Sequence, residues 1–106
     1  PEPSQVEAAV ALDVDAIEIH TGSYAEAVED EVMERELSRI ERAADQAAES
    51  SLMVAAGHGL DYLNVREVAA MASVEELNIG HAIVARAVLV GFERAVREMV
   101  ELIRTA

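Results

Sequence analysis

Cysteine is absent from the sequence, which excludes disulfides, thiolate metal sites and a thiol nucleophile. Tryptophan is absent as well, and aromatic residues make up only 3% of a chain that is 52% hydrophobic. A core must therefore be built from Ala, Val, Leu, Ile and Met, which suits helices packed on strands better than an aromatic-rich sandwich. Lysine is missing too: the eight basic residues are all Arg, against 21 acidic ones, for a formal net charge of -13. Such a chain would be repelled by a nucleic-acid phosphate backbone, and most of the charge describes a solvated face. No apolar run approaches the roughly 20 residues needed to cross a bilayer, and "PEPSQVEAA" lacks the basic-then-apolar pattern of a signal peptide. A cytoplasmic location is the expectation.

What is present fits one small domain, since 106 residues suffice for a single core. Ser4 and Glu7 have capping-box spacing ahead of Val6, Ala9 and Val10, predicting a helix almost from the first residue. "AIEIH" (Ala16 to His20) reads as a short strand ended by the turn residues Thr21, Gly22 and Ser23. From Asp30 to Glu49, Met33, Leu37, Ile40, Ala44 and Ala47 recur at helical spacing among charged residues, predicting a long amphipathic helix. "LMVAAG" (Leu52 to Gly57) is apolar without alternation, as in a strand buried on both faces. Asn64 and Glu67 are placed to cap a helix carrying Val65, Val68, Ala69 and Ala72 on one side. "ELNIG" reads as a third strand, Ala82 to Val90 as a short helix, and Phe92, Val96, Met99 and Ile103 as the apolar stripe of a last helix. The predicted order, αβαβαβαα, is that of α/β crossovers joining a parallel sheet.

Each strand ends in His beside Gly or one residue from it: "IEIHTG", "VAAGHG", "LNIGHA". In a parallel sheet these ends lie together at the carboxyl edge, where α/β folds bind ligands and barrel enzymes keep catalytic groups. A structural, hydrogen-bonded role is the ordinary reading for any one His, but three at matching places favour a site. Three imidazoles can also hold zinc, though no other spacing supports a metal. Gly59 and Gly80 remove side chains where a substrate oxygen could approach backbone N–H groups. The helix after Gly80 would turn its positive end toward a phosphate. Glu18, between Ile17 and Ile19, alternates onto the side of His20. A carboxylate there is costly unless it is functional or paired, for instance with an Arg.

"IEIHTGSYAEA", "AAGHGLDYLNV" and "ELNIGHAIVARAVLVGFERAVREM" together closely resemble the carboxyl-terminal part of the pyridoxine 5′-phosphate synthase family of vitamin B6 biosynthesis. The resemblance implies a partial TIM (β/α)8 barrel: the last three β/α units and a preceding helix, with residues 1–106 as one partial barrel domain. It implies condensation of 1-deoxy-D-xylulose 5-phosphate with 3-amino-2-oxopropyl phosphate to pyridoxine 5′-phosphate, phosphate and water, with no metal or organic cofactor. By motif, His58 matches the family's proton donor, Glu18 the carboxylate that stabilises the transition state, and Gly59, Gly80 and His81 substrate-binding positions. No family role carries over to His20, which is expected to be structural or to support the residues that act. A higher homo-oligomer is implied as the partner state, with the N-terminal half-barrel needed for a complete site.

The sequence departs from the family pattern in three places. Ala55 stands where Asn usually precedes "AGHGL", and Asp13 and Ser51 stand at helix ends that usually carry Gly. The length also falls well short of the roughly 250 residues of a full barrel. A non-catalytic half-barrel that binds phosphorylated metabolites or self-associates is therefore the competing expectation. An acidic interaction module based on Asp30 to Glu49 would leave the strand-end motifs unexplained.

Overall fold

A computed structural model describes residues 1–106. Three parallel strands, β1 (Ala16–His20), β2 (Met53–Gly57) and β3 (Glu76–Asn78), lie in the order β1-β2-β3. Six helices accompany them: α1 (Pro3–Ala11), α2 (Gly22–Glu26), α3 (Asp30–Glu49), α4 (Val65–Ala69), α5 (His81–Val90) and α6 (Phe92–Arg104). The α/β class and parallel sheet expected from sequence are present. No helix is long and apolar enough to cross a membrane.

The helical periodicity of α3 sets both its bounds and its buried side. Ile40, Ala44 and Ala47 are buried, while Met33 and Leu37 pack on the same cluster. With Val6 of α1, Ile19 of β1, Val54 and Ala56 of β2, and Val68 of α4, they form the core. Each large aliphatic side chain in it contributes about 1.5–3 kcal/mol. Glu36 is buried on α3, but Arg39 Nη1 lies 2.8 Å and Arg35 Nε 3.8 Å from its carboxylate. A lone charge there would be costly, and the two guanidinium groups offset part of that cost.

Several local expectations are corrected. No Ser4–Glu7 capping box forms: α1 begins at Pro3, with Glu2 as N-cap and no side-chain cap. Pro3 has φ already set for the first turn and lacks the N–H that would need a partner, so Ser4 falls inside the helix. Asn64 does occupy the N-cap of α4, but its side chain is engaged elsewhere, with Oδ1 accepting from Asp61 N–H at 2.8 Å. Glu67 is turned toward Tyr24 Oη, 3.4 Å away. Helix α4 stops at Ala69 instead of continuing to Ala72, β3 stops at Asn78, and α5 starts one residue early, at His81. Residues read as a plain turn after β1 open the short helix α2.

The two helix ends without Gly adopt the backbone that Gly would favour, with φ of 57° at Asp13 and 64° at Ser51. After α3, Leu52 N–H donates to Ala47 O at 3.1 Å and Ser51 N–H to Ala48 O at 3.0 Å. This is the paired closure of a Schellman motif, which here holds a serine left-handed. In α6 the buried residues are Ala95 and Met99, whereas Phe92 and Val96 of the expected stripe face solvent. An Arg86–Glu98 ion pair of 3.0 Å joins α5 to α6, and hydrogen bonds from Arg86 and Arg94 hold the Glu98 carboxyl below its usual range.

Candidate active site at the carboxyl edge of the sheet

Strand alternation divides the sheet into two unlike faces. Ile17, Ile19, Val54, Ala56 and Leu77 pack in or against the helix-covered core. The opposite face carries two rows set by register, Glu18–Ala55–Glu76 and His20–Gly57–Asn78. Glu18 is exposed there, on the same side as His20, and its partner is an amide and not an Arg: Asn78 Nδ2 donates to Glu18 Oε2 across β2. Glycine between the two residues leaves room for that bond. A Cβ on Gly57 would lie 2.9 Å from Asn78 O and 3.1 Å from Glu18 Oε1.

Beyond β2 the chain makes an unusual turn, with φ of 92° at His58 and 75° at Gly59. A non-glycine residue in that region is strained and persists only when its surroundings enforce it. The segment after β1 does so. Thr21, fully buried, donates through Oγ1 to His58 O at 2.7 Å and through its backbone N–H to Gly57 O at 2.8 Å. A Cβ on Gly59 would lie 2.6 Å from Ala25 Cβ, so α2 presses directly on the turn. Asn64 Nδ2 donates to Gly59 O at 3.1 Å, and Tyr24 Oη–H donates to Asn64 O at 2.7 Å.

Tyr24 thus ties α2 to the start of α4. Burial, then the nearby Glu67 carboxylate, pushes its phenol from 10.0 up to about 12. Below about pH 10 the phenol is protonated in both folded and unfolded chains, so folding is pH-independent in this group. Between about 10 and about 12 the unfolded chain loses its proton first, and stability falls as pH rises. Replacing Tyr24 with Phe is expected to cost about 1 kcal/mol at neutral pH and to remove this group's share of the alkaline decline, as urea titrations at stepped pH would measure.

Three sequence-distant turns meet in a cleft of about 400 Å³, whose lining includes Glu18, His20, His58, Gly59, Gly80 and His81. All the site residues expected from the sequence are therefore brought together. No Arg lines the cleft, and the three imidazoles do not gather into a group that could hold a metal ion. His81 is the first residue of α5 and Gly80 its N-cap. The unpaired N–H groups of a first helical turn and the positive end of the dipole there suit an anion. Gly80 lines the cleft, and a side chain there would meet nothing of this chain within 4 Å.

Sequence reading missed Asn78, Thr21 and the steric roles of Gly22 and Gly57. Asn78 had a readable signal: in "ELNIG" it alternates with Leu77, which puts a polar group at a strand end. His20, expected from sequence to be a structural or supporting residue, stacks on His58 with ring centroids 4.3 Å apart and planes 24° from parallel.

The family model described as pyridoxal phosphate biosynthesis protein PdxJ matches residues 1–105. Pyridoxine 5′-phosphate synthase of Nostoc sp. (strain PCC 7120) is 53% identical over 103 residues, covering 97% of this chain and 43% of the relative. The synthases of Geotalea uraniireducens and Geobacter sp. (strain M21) are 49% and 53% identical over 106 residues, covering 100% of this chain and 44% of each relative. The chain thus spans less than half the length of these curated relatives and corresponds to their carboxyl-terminal part. By this extent and identity, the chain belongs to the PdxJ family of pyridoxal phosphate biosynthesis proteins.

Proposed function

We propose that this chain forms the last three β/α units of a TIM barrel and supplies part of the active site of a pyridoxine 5′-phosphate synthase. The observation that carries the reading is the single cleft that gathers Glu18, His58, Gly59, Gly80 and His81 at the carboxyl edge of a parallel sheet. Active sites of barrel enzymes sit at that edge. The bare sheet face, the unpaired outer edges of β1 and β3, and the exposed Val84, Val88, Leu89 and Phe92 support incompleteness, because such edges and patches call for cover. An N-terminal half-barrel would provide it, and self-association is the other way to cover the same surfaces.

The residues divide the chemistry by type. Joining 1-deoxy-D-xylulose 5-phosphate to 3-amino-2-oxopropyl phosphate requires imine formation, loss of phosphate and ring closure, each of which moves protons. His58 is the proton donor, a task suited to imidazole at neutral pH. Glu18, oriented by Asn78, stabilises cationic intermediates electrostatically. Gly80, His81 and the start of α5 receive a substrate phosphate through backbone N–H groups. The cleft's lack of Arg means that further cationic grip on phosphate comes from outside this chain. A second reading, a half-barrel that binds phosphorylated metabolites without turning them over, is favoured by one observation: Ala55 places a methyl, with no hydrogen-bonding group, in the row between Glu18 and Glu76.

The deciding assay measures pyridoxine 5′-phosphate formation from the two substrates by the chain alone and with the N-terminal half-barrel of the Geobacter relative. Product only in the mixture is the expected result. No product from a folded, associated mixture would favour the binding-only reading.

A further inference from the structure

We propose that His20 is a positioning residue for His58, holding the His58 ring by face contact in the orientation from which it gives up its proton; this rests on the acid role proposed above. Neither ring nitrogen of His58 has a hydrogen-bond partner within the chain. What orients the ring is a left-handed backbone, with φ of 92°, and the His20 stack at 4.3 Å. An imidazole with no other restraint would sample several rotamers, and a misplacement of about 1 Å can cost about 100-fold in rate.

His20 is itself fixed. Gly22 N–H donates to its Nδ1 at 3.2 Å, which assigns the lone pair to Nδ1 and the hydrogen of the neutral ring to Nε2. Opposite His20 in the sheet stands Gly57, so no side chain separates the two rings. Gly22 is excluded from having one: its Cβ would lie 2.5 Å from His20 Cε1 and 3.1 Å from His58 Cδ2. Two glycines therefore clear the space in which one imidazole backs the other. Thr21, between His20 and Gly22, grips the His58 carbonyl, so the same three-residue segment holds both the backbone and the ring of His58.

The test uses the complemented barrel. His20→Ala is expected to lower kcat about 10- to 100-fold while KM stays within about threefold, the pattern of an interaction made in the transition state. His20→Phe, which keeps a ring against His58, recovers most of that loss. In NMR spectra of the same protein, the His58 ring protons lie upfield through the stacked His20 ring and move toward exposed values in His20→Ala. His20 Nδ1 resonates as an unprotonated acceptor.

An unchanged kcat per folded site in His20→Ala overturns the proposal, and so do His58 resonances indifferent to the substitution. If His20→Ala does not fold, His20→Phe decides: an alanine-sized collapse of kcat, about 10-fold or more, with the ring stack still present by NMR, sinks the idea. Lack of product from the unsubstituted protein instead overturns the synthase reading, and the resonance test reports separately on whether the rings are coupled.

Discussion

His58→Asn in the chain mixed with the N-terminal half of the Geobacter relative is expected to lower kcat by about 10²- to 10⁴-fold, the range contributed by a positioned general acid. Asparagine is the informative replacement because the position has φ of 92°, a region that Asn tolerates far better than most residues. The turn and its bonds from Thr21 should then survive, and the loss reports on the missing imidazole and not on a collapsed loop. Binding of both substrates should change little, since the proposed phosphate site lies at Gly80, His81 and the start of α5 and not at His58. Steady-state kinetics with each substrate varied, alongside a thermal melt, checks both halves. A kcat within about threefold of the unsubstituted protein would remove His58 from the chemistry.

The second large effect concerns charge at Glu18. Glu18→Gln keeps the shape and can still accept a hydrogen bond from Asn78, but carries no negative charge for a cationic intermediate. A fall in kcat of about 10²- to 10³-fold is expected, by analogy with the removal of one preorganised electrostatic partner. Gly57→Ala makes the complementary test without touching either partner's chemistry. Its methyl would meet backbone oxygen at 2.9 Å and the Glu18 carboxylate at 3.1 Å. The Glu18–Asn78 bond across β2 has to shift, at a cost of about 1–3 kcal/mol of stability for overpacking and with part of the kcat loss seen in Glu18→Gln. Should Gly57→Ala lose stability but retain full kcat, the placement of Glu18 by Asn78 would have no catalytic consequence.

These expectations also separate the two functional readings. A half-barrel that only binds phosphorylated metabolites would lose nothing measurable in His58→Asn or Glu18→Gln when phosphate binding is titrated. A synthase loses turnover in both. Ala55 bears on the same distinction, because it lies in the Glu18 row and leaves Asn78 as that carboxylate's amide partner.

Much was determined by sequence alone. The spacing of Ile40, Ala44 and Ala47 placed α3 from Asp30 to Glu49, because a period of 3.6 among charged residues leaves one apolar side. Apolar runs and turn residues located β1 and β2 to within a residue, and the repeated His-Gly ends pointed to the edge where the cleft lies. Local periodicity and turn chemistry suffice for such features. The expected side-chain caps did not form: Pro3 opens α1 ahead of Ser4, and Asn64, although it holds the N-cap of α4, turns its side chain to Asp61 and Gly59.

Only the tertiary structure decided how the site residues relate. Asn78 reaches Glu18 from 60 positions away because strand register sets them on one face with Gly57 between. His20 meets His58, and Thr21 holds the left-handed turn, because parallel pairing brings the ends of β1 and β2 side by side. No local pattern carries that information: a residue's neighbours along the chain specify its face, whereas its partner across a sheet depends on register, and register is settled by the packing of the whole core.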